Sequence, residues 1–167
     1  MQPHAMTDSD KFQCNLSIRR IKELLETGVF ISGLTTPLQM AAFIEVIICL
    51  RDLLEKCSKY GRRISFTDDV IVIGEVKDVT DAIKWMRDAC CHLHTRQRNF
   101  DIEEGSATNC LVVSHGDCSG MKMCGRILGS EYADDMAFCY GLNRIYLRRH
   151  VVRAFEEAKC VLAPLLE

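Results

Sequence analysis

The stretch "TTPLQMAAFIEVIICLRDLLEKCSKYG", residues 35–61, leaves the chain little conformational choice. Thr36 is an N-cap, Pro37 suits the first helical position, and Gln39 completes a capping box. Met40, Phe43, Ile47, Leu50, Leu54 and Cys57 then recur three or four residues apart, and Gly61 follows Tyr60 as a stop. A helix of this length with an apolar stripe must bury that stripe against other elements.

Three further segments have helical spacing. Residues 12–27 carry Ile18, Ile21 and Leu25 and end at Gly28. A third helix starts near Asp78 or Thr80, both good caps, and runs to about His94 with Val79, Ile83, Met86, Cys90 and Leu93 facing inward. The last spans roughly 148–162 on Val151, Ala154, Phe155, Ala158 and Leu162, with Arg153 and Glu157 paired at i, i+4 and Pro164 closing it. After residue 96 the spacing changes to short β-like runs: "CLVV", "MKMCG", "AFCY" and "RIYL". "AFCYGLNRIYL" reads as a hairpin turning at Gly141, Leu142 and Asn143. "RRISFTDDVIVIGE", residues 62–75, has the alternation of a strand but also suits irregular chain packed over a bundle. The expected fold is mainly α: a four-helix bundle with a small antiparallel β insertion, about residues 105–147, between helices three and four. Residues 1–10 are expected to form a flexible tail and 11–167 a single domain.

Composition narrows the function classes. At 48% hydrophobic, the chain can bury a proper core. A net charge of −2 gives no global pull toward nucleic acid, so any such contact needs a local patch. Arg144, Arg148, Arg149 and Arg153 form one candidate; Arg62 with Arg63, and Arg96 with Arg98, form others. Ten cysteines without a single C-x-x-C read as reduced thiols, with Cys49, Cys57, Cys90 and Cys160 as small core residues. His94, His115, Cys118 and Cys124 could converge on zinc, but their spacing does not demand it, and no metal is expected. No phosphate-binding loop or dinucleotide fingerprint occurs, so no cofactor is expected either. No apolar run approaches the ~18 residues of a membrane span. The opening "MQPHAMTDSD" lacks the regions of a signal peptide, so a cytoplasmic protein is expected. Asp134 with Asp135, and Glu103 with Glu104, read as solvated loop acids.

The densest chemistry lies in "WMRDACCHLHT", residues 85–95. Asp88 and His92 are four apart and share a helical face, where a carboxylate can hold an imidazole. Arg87 is five residues before His92, which splays the two by about 140° on an ideal helix. They converge only through arginine's length, a distorted helix end, or a second copy of the helix. His94, seven after Arg87, lies along the same stripe, so spacing alone leaves both histidines open. Plainer readings compete: a histidine in a last helical turn satisfies the dipole, and an arginine beside a core stripe snorkels or pairs with an acid.

"RDACCH" fits the R-x4-H pattern of the HEPN superfamily, with a polar residue directly after the arginine. In that superfamily the pattern lies late in the third helix of a four-helix bundle. The wider sequence, from "TGVFISGLTTPLQMAAF" through "RISFTDDV" and "VKDVTDAI" to "YGLNRIYLRRHVVRAFEEAK", resembles a HEPN family of plasmids and bacterial genomes, with the weakest likeness near 101–125. The resemblance implies a dimeric, metal-independent endoribonuclease, of a kind often serving as a toxin or defence effector with an antitoxin partner. By position, Arg87 and His92 match the motif and Asp88 its polar place. His94 fits only a longer R-x6-H spacing and joins Arg148, Arg149 and Arg153 as a candidate RNA contact. Some HEPN proteins are instead non-catalytic modules that bind a nucleotide or a protein partner.

Overall fold

A computed structural model describes residues 5–31, 36–92, 99–101, 106–107, 111–123, 126–141 and 143–167. Helix α1 (Asp8–Glu26) runs antiparallel to α2 (Pro37–Tyr60), and α3 (Val79–Cys91) and α4 (Arg153–Leu166) also pack against α2. Among the described residues, seven short strands lie between α3 and α4: β1 (Asn99–Asp101), β2 (Ser106–Ala107), β3 (Val112–His115), β4 (Cys118–Met123), β5 (Arg126–Ser130), β6 (Met136–Tyr140) and β7 (Asn143–Tyr146). The fold is mainly α with an antiparallel β insertion. No helix among the described residues is long and apolar enough to cross a membrane.

Helix α1 begins at Asp8, inside the stretch expected as a tail. Thr7 caps it, its Oγ1 accepting from the Asp10 amide at 3.1 Å. Asp10 also receives Lys56 and Tyr60 from the far end of α2, with Lys59 at 3.6 Å, and Met6 is buried in the core. Two lysines and a phenol draw the Asp10 carboxyl well below the usual carboxylate range.

Helix α2 has its expected bounds, and Thr36 Oγ1 accepts from the Gln39 amide at 3.1 Å. Only that half of the capping box forms. The Gln39 side chain is buried and donates instead to the Val29 carbonyl at 3.1 Å, which ties the end of α1 to the start of α2. The buried face is wider than one stripe: Val46, Cys49 and Leu53 are buried as well, because three helices and Phe138 of β6 pack against α2. Gly61 follows for want of room, since a Cβ there would lie 2.7 Å from Val161 Cγ1 of α4.

Residues 62–78 form no strand. The segment crosses the start of α3, where the Val79 amide donates to the Phe66 carbonyl at 3.0 Å and Thr80 Oγ1 to the Ile64 carbonyl at 2.5 Å. The β3–β6–β7 sheet lies on the bundle. Its middle strand, β6, is buried along its whole length. Phe138 stacks on Phe43 of α2 with ring centroids 3.7 Å apart, while Cys139 packs with Leu128 on the opposite side. The hairpin pairs Tyr140 with Asn143, so Asn143 belongs to β7.

A π-helical turn, Leu147–Val152, joins β7 to α4, so regular α-helix starts five residues later than the spacing suggests. Pro164 does not close α4. It sits in the last turn, where one lost hydrogen bond is tolerated, and the helix continues to Leu166.

Candidate functional site

Asp78 is the N-cap of α3, accepting from the Asp81 amide at 3.0 Å. Arg63 grips its carboxylate with two bonds of 2.8 Å and reaches Asp81 at 2.6 Å. The helix start is therefore held firmly. Val79, Ala82, Ile83, Met86 and Ala89 face the core, which leaves Arg87 and Asp88 half-buried on its flank.

The helix ends earlier than expected, at Cys91. His92 is its C-cap, with extended backbone (φ −121°, ψ 115°) and its amide donating to the Asp88 carbonyl at 3.0 Å. Leaving the helical path undoes the splay: Arg87 Nη1 lies 3.4 Å from His92 Nε2. A guanidinium has only donors, so Nε2 accepts in this contact and the ring proton sits on Nδ1. Asp88 Oδ1 takes an Arg87 nitrogen at 2.9 Å, so the acid orients the arginine. The three residues thus converge within one chain, and the geometry needs no second helix to bring them together. Beside them is a recess of about 100 Å³ lined by Glu75, Asp81, Lys84, Trp85 and Asp88. His94 lies outside the described residues.

The other candidate contacts are engaged differently. Arg149 lies over the Tyr132 ring at 3.5 Å and pairs with Asp134 and Asp135, each at 3.0 Å, and with Asp69 at 3.8 Å. Arg153 lies over Phe66 at 3.8 Å and pairs with Asp68 at 2.9 Å and Glu157 at 3.0 Å. These two arginines hold residues 68–69 and the β5–β6 connection against the helix start, and do not form a free cationic patch. Arg148 is exposed. No hydrogen bond, ion pair or ring contact among the described residues joins this network to Arg87 or His92.

Asp135 corrects the reading of a solvated acid pair, for its side chain is fully buried. It accepts from the Met136, Arg148 and Arg149 amides at 2.8, 2.9 and 3.1 Å, besides the Arg149 guanidinium. It caps, from a distant loop, a helix start whose own sequence is cationic and electrically unfavourable. No local signal in "YADDM" separates buried Asp135 from exposed Asp134.

His150 is structural. Its Nδ1 accepts from the Tyr146 amide and its Nε2 donates to the Asp68 carbonyl, both at 3.1 Å, so the ring is neutral with its proton on Nε2. Burial lowers its pKa. The neutral ring therefore contributes stability fully above the unfolded value near 6.5, and that contribution is lost as pH falls toward the folded value. Unfolding free energy measured from about pH 7 to about pH 5.5 should fall, and the fall should be shallower in His150→Gln. An equal slope in the variant would remove His150 as its cause.

Among the described residues, Cys14, Cys49, Cys57 and Cys139 are buried free thiols. Burial pushes Cys57 up to about 12 and Cys139 up to about 11, so both are poor nucleophiles. Cys90 is only partly buried and Cys160 is exposed, so Cys160 is not a core residue. Among the described residues no three histidine, cysteine or acidic side chains are placed to hold a metal ion; His94 and Cys124 lie outside them.

No protein-family model matches the chain, and searches of curated proteins and of solved structures likewise find no match.

Proposed function

We propose that this protein is a metal-independent endoribonuclease of the HEPN type, acting as a homodimer in toxin or defence roles. The meeting of Arg87 and His92 at an exposed helix end carries the reading. RNA supplies its own nucleophile. His92 would take the 2′-hydroxyl proton as that oxygen attacks phosphorus, and the 5′-oxygen would depart with a proton from a second acid. Arg87 would hold the phosphoryl oxygens with its planar fork, and Asp88 would hold Arg87.

One imidazole per chain serves one side of an in-line displacement, so a second chain would supply the other. This gives dimerisation its reason, and a twofold axis would also double the positive charge of Arg87. Because Arg87 meets His92 of its own chain, mixing Arg87→Ala with His92→Ala chains should not restore cleavage. Mixing wild type with His92→Ala should lower activity below the wild-type share of chains. Activity proportional to that share, or full-rate cleavage by a sedimenting monomer, would remove the shared cleft.

A non-catalytic binding module is the second reading. The pairing of Arg149 and Arg153 with acids favours it, because a nuclease needs cationic surface for RNA. Incubating RNA with purified wild type in EDTA separates the two. Cleavage supports the nuclease; uncut RNA with retained partner binding supports the module.

A further inference from the structure

We propose that the cleft between the α1–α2 connector and the start of the π-helical turn binds a small organic anion: a compact apolar body with one phosphate or carboxylate head. The cleft shares no lining residue with the Arg87–His92 site. Its volume of about 380 Å³ falls within the ~300–1,000 Å³ common for small-molecule sites. Phe30, Ile31, Met136 and Leu147 give it apolar lining, and His115 and Arg148 give it cationic and polar lining.

Two observations select an anionic head. Both ring nitrogens of His115 are buried and have no hydrogen-bond partner among the described residues. Buried polar atoms are nearly always paired, so two unpaired atoms on one ring beside a cleft point to a missing partner. Arg148 is exposed, and its guanidinium has no carboxylate partner among the described residues. Asp134 and Asp135 also line the cleft, but neighbouring Arg149 pairs with both, and three backbone amides complete the shell of Asp135. Among the described residues, what remains unpaired in the lining is one guanidinium and one imidazole. A guanidinium fork matches the paired oxygens of phosphate or carboxylate, and the imidazole adds a single donor.

The apolar side selects the body. Ile31 is 73% exposed at the cleft and offers apolar surface that an aryl body would cover. Phe30 beside it is held edge-on against Phe138 at 6.2 Å. Gly116 also lines the cleft. It turns at φ +65°, donates to the Asp135 carbonyl at 3.0 Å, and would bring a Cβ to 3.4 Å from the Ala133 carbonyl oxygen. A side chain there would be strained, so glycine occupies this turn.

Calorimetric titration of the full chain with phenyl phosphate and with benzoate tests the proposal without RNA, so its failure is distinct from failure of the nuclease reading. Inorganic phosphate and benzyl alcohol serve as half-ligands. We expect one saturable site per chain for at least one aryl anion, with each half-ligand weaker by about tenfold or more. The preferred aryl anion identifies the head group. Arg148→Glu and His115→Leu should each weaken binding by about tenfold or more. His115 lies in a strand, so its replacement could disturb folding; Arg148→Glu and Ile31→Asp change exposed side chains and keep the test decisive. No saturable binding of either aryl anion, or binding unchanged in Arg148→Glu, would overturn the proposal.

Discussion

His92→Ala is expected to lower RNA cleavage by roughly 10²–10⁴-fold, the usual range for removing a positioned proton-transfer group. The side chain is exposed at a helix C-cap, so thermal unfolding should hardly move. Arg87→Ala should lose about 10²–10³-fold, by analogy with removing one donor that stabilises developing charge. Arg87→Lys should not restore the rate, because an ammonium lacks the paired donors of the fork. Asp88 touches the arginine at 2.9 Å and is a positioning residue. Asp88→Asn should cost less than either, and its loss should be larger in KM than in kcat if its role is to keep Arg87 aimed at the phosphate. His94→Ala is expected to matter less than His92→Ala. Full-rate cleavage by His92→Ala, with the fold intact, would refute the assignment.

Asp135→Ala is expected to cost about 1–3 kcal/mol, the range for leaving buried hydrogen-bonding groups without their partner. The substitution leaves the Met136, Arg148 and Arg149 amides without their acceptor, while the Arg149 guanidinium keeps Asp134 and Asp69. Asp135→Asn keeps one acceptor oxygen and should cost less. Asp134→Ala supplies the contrast: that carboxylate is exposed on the same arginine, and exposed pairs are worth about 0–1 kcal/mol. Urea unfolding of the three variants gives the comparison. An Asp135→Ala protein within about 0.5 kcal/mol of wild type would show that the distant cap contributes little.

The helices were legible because each carries its own signals. Thr36, Pro37 and Gly61 mark the ends of α2, and Asp78 marks the start of α3, through interactions within a few residues. The hairpin of β6 and β7 was legible for the same reason. What failed depended on distant partners. Gln39 left its expected capping bond for the Val29 carbonyl; the early start of α1, by contrast, has a local cap in Thr7 as well as the hold on Asp10 from α2. The start of α4 wound as a π-turn, for which "LRRHVV" has no recognisable pattern.

Neighbours along the chain suffice for the four amphipathic helices, the change to short strands after residue 96, and the grouping of Arg87, Asp88 and His92. Those follow from periodicity, local caps and residue identity. Tertiary structure alone decided which groups are free. It brought His92 back to Arg87 by ending α3 at Cys91, and it paired Arg149 and Arg153 with acids up to 85 residues away in sequence. It also buried Asp135 and left Arg148 and His115 beside a cleft. Charge pairing and burial are set by contacts across the fold, so one arginine of "RRHVVR" stays available while two others serve as struts.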